Sequence, residues 1–184
     1  MLILSPISLF LDVPRNIFTA VGLPLTAGWY SGSYTKEAVR GTWYKALKFP
    51  PGKIENPKVF PIVWSALYIA LGYASHLAAD AHDNAFLPAD IDATSTGIVL
   101  YYAQLAMNFA WTPLFFGRKE PEIALVDSAM MTATSIYMTK LLHGPTKGKA
   151  TWLLVPYCAW VSYVTYLNAG VVYLNRGRYI PKND

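Results

Sequence analysis

Charge is scarce in this sequence. Asp, Glu, Lys and Arg make up 14% of its 184 residues, against roughly 25% in an average soluble domain, and residues 93–117 hold none. That scarcity excludes an ordinary solvated globule. Cysteine is scarcer still. Cys158 stands alone, so no intramolecular disulfide can form, and the chain says nothing of an oxidising compartment. Histidine occurs three times, and no Cys/His/Glu spacing suits a metal ion. No nucleophile–base pair marks covalent catalysis. The net charge of +4 is spread over loops without the stripe a nucleic acid needs. The first eleven residues are apolar, yet they lack a basic n-region. Asp12, Pro14 and Arg15 follow where a small-residue cleavage site would stand, so no secretory signal is expected. Neither an internal repeat nor a low-complexity segment is visible.

What is abundant is apolar and aromatic. Hydrophobic residues reach 54% and aromatics 15%, with six Trp and 13 Tyr, a composition suited to membrane spans and interfacial belts. Uncharged runs cover 16–35, 59–79, 93–117 and 150–175, and 121–139 is broken only by Glu122 and Asp127. Each is close to or above the ~20 residues with which an α-helix crosses a bilayer. These runs predict an all-α membrane protein, a bundle of five transmembrane helices in one domain over 1–184. The spans fall at about 12–35, 59–80, 93–117, 121–142 and 150–175, with one long loop at 36–58. Pro24, Pro113 and Pro156 each remove a backbone donor and should kink or end their helices. So small a bundle has no room for a wide aqueous pore, and its interior should hold side chains or one apolar ligand.

Five spans put the termini on opposite sides. One side carries Lys36, Arg40, Lys45, Lys48, Lys53, Lys58, Arg118, Lys119, Arg176, Arg178 and Lys182, eleven of the 15 Lys and Arg. The other carries Arg15, Lys140, Lys147 and Lys149, beside an acidic loop with Asp80, Asp83, Asp90 and Asp92. The positive-inside rule places the long loop and the C-terminus in the cytosol.

Within the uncharged third run, Gln104, Asn108 and Trp111 stand at i, i+4 and i+7, on one helical face. An amide in hydrocarbon costs several kcal/mol unless partnered. That face therefore looks into the bundle, as polar glue between helices or as the wall of a cavity. Tyr157, Trp160, Val164 and Asn168 form a second stripe at i, i+3, i+7 and i+11, which is packing or a flat aromatic wall with one edge donor. Trp64, with Tyr68 one turn on, is an interface anchor or a further wall. Trp43 and Tyr44 lie in the long loop, stiffened by Pro50, Pro51 and Pro57, which could fold back as a lid. Lys45 and Lys48 there are solvated charges or partners for acidic ligand groups. Asp127 is the acid inside a span, a functional group or a structural hydrogen bond. His76 could be imagined as a haem ligand, but it lies toward the acidic loop. Ala66, Ala70 and Ala74 make a flat face for helix packing or dimerisation. Val171, Tyr173 and Arg176 fit the loose sterol pattern of helix ends.

Several segments together resemble the TspO/MBR family, which includes the translocator proteins, or peripheral-type benzodiazepine receptors, and the tryptophan-rich sensory proteins. They are Trp43-Tyr44 with Lys48-Phe-Pro-Pro51, then Phe60-Pro-Ile-Val-Trp64-Ser-Ala-Leu-Tyr68 with Gly72-Tyr73. Gln104-Leu-Ala-Met-Asn108-Phe-Ala-Trp111-Thr-Pro-Leu-Phe-Phe-Gly117 follows, then Ala124-Leu-Val-Asp127, and Pro156-Tyr-Cys-Ala-Trp160 running on to Leu167-Asn168. The likeness spans roughly residues 20–175. It implies a five-helix bundle, often a homodimer, with a cavity open toward the cytosol and capped by the loop after the first span. It also implies binding of porphyrins, haem precursors and cholesterol among membrane lipids, with no required cofactor. Residence is the outer mitochondrial membrane in most eukaryotic members. On this resemblance Trp43, Tyr44, Trp64, Tyr68, Gln104, Asn108, Trp111, Tyr157, Trp160, Val164 and Asn168 are expected near the ligand. Ala169 replaces the Tyr that usually follows Leu-Asn, which puts the family's sterol geometry in question. A translocator or sensor of tetrapyrroles is the leading expectation. An enzyme that degrades porphyrin through its tryptophans and a lipid-holding scaffold are the alternatives.

Overall fold

The computed structural model describes residues 6–182, with backbone alone for 6–9, 34 and 36. The first five residues of the apolar start therefore lie outside the described residues, as does the side chain of Lys36. The chain is helical, and no strand occurs among the described residues. The helices are α1 (Pro6–Arg15), α2 (Ile17–Ala38), α3 (Thr42–Ala46), α4 (Val59–Asp83), α5 (Pro88–Thr112), α6 (Pro121–His143) and α7 (Lys149–Asn175). A π-helical turn, Pro113–Gly117, follows α5 directly. Five of these helices are long, with 22 to 27 residues each, or about 33–40 Å at 1.5 Å per residue. They run over the five segments where spans were expected. Of them, α4 alone is apolar enough along its length to cross a membrane by composition. The others carry Ser, Thr, Asn, Gln and Tyr, many of them turned inward.

The first expected span, 12–35, is not one helix. Asn16 breaks it, with extended backbone and a side chain that accepts from Phe18 N at 2.9 Å. That is N-cap geometry, and it starts α2 at Ile17. The short α1 before it is tied to the end of α4. The Arg15 guanidinium donates two bonds of 2.8 Å to the Asp83 carboxylate and one of 3.1 Å to Asp12. This hydrogen-bonded pairing holds the Asp83 carboxyl below its ordinary 3.8. A depressed carboxylate stabilises the fold above its unfolded pKa and loses that contribution as pH falls through the folded value. Both partners are about 40% exposed, so Asp83→Asn should cost no more than about 1 kcal/mol at neutral pH. The difference in melting temperature between wild type and variant should shrink as pH falls below the ordinary carboxylate range.

Pro24 and Pro156 sit inside continuous helices, whereas Pro113 ends α5. With no N–H to donate, Pro113 leaves the ladder, and Arg118 N reaches back to its carbonyl at 2.8 Å. Gly72 lets α4 lie against the backbone of α2 at Ala20 and Val21, where a Cβ would overlap Ala20 O.

The segment joining α3 to α4 does not hang free. It folds back as a strap over the C-terminal half of α7. Lys48 and Asn175 exchange two bonds, Lys48 N to Asn175 Oδ1 at 3.0 Å and Asn175 Nδ2 to Lys48 O at 2.9 Å. Tyr166 donates to Pro51 O at 3.0 Å and Tyr163 to Gly52 O at 2.9 Å. Gly52 turns the strap at φ +83°, a backbone that glycine adopts without strain. Pro50 rests on Gly170, so closely that a Cβ there would overlap the proline ring. Trp43 and Leu47 are buried beneath, packed with Phe115, Ala124 and Val171.

Candidate functional site

Two regions gather the residues singled out in the sequence. The first is an interior polar network. On α5, Gln104 and Asn108 are buried. Tyr68 of α4 donates to Asn108 Oδ1 at 2.6 Å, and Asn108 Nδ2 donates to Tyr157 of α7 at 3.1 Å and contacts Met131 S at 3.5 Å. Tyr157 in turn donates a short bond to Gln104 Oε1. One turn on, Trp111 Nε1 donates to Asn168 Oδ1 at 3.0 Å, while Asn168 Nδ2 donates to Pro121 O at 2.7 Å. Four long helices are thus linked through side chains that hydrocarbon would otherwise penalise. Val164 is buried on the same side of α7.

The second region is a recess of ≈ 440 Å³ between α4 and α7 under the strap. Gly52 and Ile54 roof it, Val63 and Leu67 line one wall, and Pro156, Ala159, Trp160 and Tyr163 line the other. Pro156 and Ala159 are exposed, so the recess opens on the flank of the bundle and not only at its end. Around Trp160 stands an aromatic cluster. Phe60 and Trp64 meet it edge-on, with centroids 5.7 and 6.3 Å away, and Tyr163 is tilted at 5.5 Å. Trp64 stacks on Tyr68 at 5.4 Å. The Trp160 Nε1 is buried and has no hydrogen-bond partner.

Trp64, Tyr68 and Trp160 are therefore brought together in one aromatic cluster, of which Trp160 lines the recess. Tyr68 is shared, its ring in the aromatic cluster and its hydroxyl in the interior network. Gln104, Asn108, Trp111, Tyr157, Val164 and Asn168 lie in the packed interior. Trp43 and Tyr44 belong to the base of the strap, where Trp43 packs edge-on against Phe115 and Tyr44 against Phe49 and Phe116. There the Lys53 ammonium sits 3.9 Å from the Phe49 centroid, a cation–π contact. Burial raises the Tyr44 phenol above its ordinary value. The sequence reading missed Phe60, Val63, Leu67, Ile54 and Tyr163. Phe60 precedes Trp64 by four residues and Tyr163 follows Trp160 by three, spacings that put each on its neighbour's face.

The model of the TspO/MBR family matches residues 20–174. The chain belongs to that family. The translocator protein homolog of Schizosaccharomyces pombe is 36% identical over 167 residues, 90% of this chain and 96% of its own length. The tryptophan-rich protein TspO of Chlorobaculum tepidum is 31% identical, covering 84% of this chain and 92% of its own. Bos taurus translocator protein is 34% identical, covering 85% and 86%. TspO/MBR proteins are membrane proteins, and the inward amides and outward Ile, Val and Trp of this chain accord with that solvent.

Three further features of this TspO/MBR chain bear on chemistry. One ring nitrogen of His76, Nδ1, lies 2.8 Å from Pro14 O, so the ring is held to the α1 end and away from the recess. Asp127 keeps a buried Oδ2 without a hydrogen-bond partner, so the expected interhelical bond is not made by that oxygen. In the loose sterol pattern, Val171 is buried under the strap while Tyr173 is 79% exposed. Two residues apart on a helix, they face different surroundings.

Proposed function

We propose that this protein is a five-span integral membrane protein that binds a planar tetrapyrrole in the α4–α7 recess and serves as its translocator or sensor, with sterol as a second ligand class. The observation that carries this reading is Trp160. It offers a large flat face among Phe60, Trp64 and Tyr163, and an indole donor that no protein group satisfies. Ligand pockets are mostly apolar, with a few placed polar groups and volumes of ~300–1,000 Å³. The ≈ 440 Å³ recess falls in that range.

The charge distribution supports a cytosolic strap and C-terminus, since eleven of the 15 basic residues lie on that side. In a eukaryotic cell, the resemblance supports residence in the outer mitochondrial membrane, as a homodimer.

Protoporphyrin IX titrated into the protein in lipid nanodiscs, followed by its absorbance, tests the reading. Wild type should saturate at one site, and Trp160→Ala should weaken binding by about tenfold, the 1.4 kcal/mol of one good aromatic contact. Linear uptake, alike in wild type and folded variant, would mean partition into lipid and would end the proposal.

A further inference from the structure

A second recess, ≈ 430 Å³, lies at the opposite end of the bundle, between the end of α4, the start of α5 and the α6–α7 connection. Its lining is of mixed charge. Asp80 and Asp90 contribute carboxylates, and Lys147 and Lys149 contribute ammonium groups. None of the four forms an ion pair within 4 Å among the described residues, although opposite charges border one cavity. Asp83, by contrast, is taken up by Arg15. The lysines also run against the trend of the chain. The side of the membrane that holds this recess has four basic residues, and two of them line it. Between the charges the floor is apolar, from Leu77 and Ala81. At its edge Phe86 is 96% and Leu87 63% exposed. In a membrane protein, bare apolar side chains at a helix end sit at the boundary of headgroups and acyl chains.

We propose that this recess is a headgroup site for a phospholipid bearing a primary ammonium, such as a phosphatidylethanolamine. Asp80 and Asp90 receive the ammonium protons, Lys147 and Lys149 hold the phosphate, and the acyl chains leave past Phe86 and Leu87. A zwitterion satisfies both signs of charge at once, which an anionic or a cationic ligand cannot. Two carboxylates with a single nearby aromatic suit an N–H donor better than a quaternary ammonium, which calls for an aromatic cage. The site is separate from the α4–α7 recess, and it rests on the bundle's being embedded in lipid but not on what the other recess binds.

Native mass spectrometry of the full chain in detergent, offered equal amounts of phosphatidylethanolamine, phosphatidylcholine and phosphatidylglycerol, tests it. Wild type should retain one phosphatidylethanolamine about tenfold more often than either other lipid. Lys147→Gln with Lys149→Gln, and separately Asp80→Asn with Asp90→Asn, should abolish that preference. Lys147→Arg with Lys149→Arg should keep it, showing that folding is not what the glutamines disturb. Protoporphyrin binding in nanodiscs should be unchanged in all of them, which separates this site from the other recess. Equal retention of the three lipids, or a preference that survives both neutralising pairs, would overturn the proposal. Free phosphoethanolamine should not displace the lipid. If it does so at millimolar concentration, the ligand is a soluble zwitterion and the lipid assignment fails.

Discussion

Asn108→Ala is expected to cost the fold about 1–3 kcal/mol while leaving protoporphyrin affinity within about threefold of wild type. The amide is the junction of the interior network, accepting from Tyr68 and donating to Tyr157. Its removal strands the Tyr68 hydroxyl, which makes no other hydrogen bond among the described residues, in a buried site. Tyr157 keeps its bond to Gln104 and loses less. Interhelical hydrogen bonds within membranes average about 0.6 kcal/mol, but that figure describes pairs whose members can find other partners. A buried phenol without one incurs the larger desolvation cost. At about 2–4 °C per kcal/mol for a chain of this size, a thermal melt in detergent resolves the loss. The reverse pattern, affinity down tenfold with the melting temperature intact, would place Asn108 against the ligand and move the site into the bundle interior.

That distinction could not be made from sequence. The i, i+4, i+7 spacing of Gln104, Asn108 and Trp111 fixes a shared face, and hydrocarbon makes the face look inward. Nothing in the spacing says that α4 and α7 supply phenols opposite the amides, or that Asn168 receives the indole of Trp111. The long helices were legible because charges interrupt the chain where helices end. The break at Asn16 was not, since an uncharged residue that caps a helix leaves an uncharged run unbroken. Pro113 announced the end of α5, while the π turn after it depends on how Arg118 N finds a carbonyl. The walls of the recess were hidden for another reason. Val63, Leu67 and Ala159 are ordinary apolar residues, and only the fold of the strap over α7 makes a cavity of them. Trp64 and Trp160 were each visible as an aromatic on the face of its own helix, but their edge-on meeting belongs to the packing of α4 on α7.

The strap sets the second large effect. Tyr163 both donates to Gly52 O at 2.9 Å and accepts from Ile54 N at 3.2 Å, and Gly52 and Ile54 form the roof of the recess. One hydroxyl thus fastens the roof to the wall. Tyr163→Phe removes both bonds and keeps the ring that packs on Trp160. At about 0.5–1.5 kcal/mol for each bond, the open state of the strap should rise about ten- to hundredfold in population. If opening precedes both entry and release, association and dissociation rates rise together and the dissociation constant barely moves. A residue that touches the ligand behaves otherwise, and Trp160→Ala should raise the dissociation rate while association stays near wild type. Gly170→Ala approaches the same hinge from the far side. Its Cβ would overlap Pro50 and lift the strap without touching the recess, so it should share the kinetic signature of Tyr163→Phe. Stopped-flow measurement of protoporphyrin binding in nanodiscs reads all three variants. Rates unchanged in both strap variants, in protein that melts normally, would mean that the ligand enters from the open flank, past Pro156 and Ala159 on α7, and that the strap is a fixed roof.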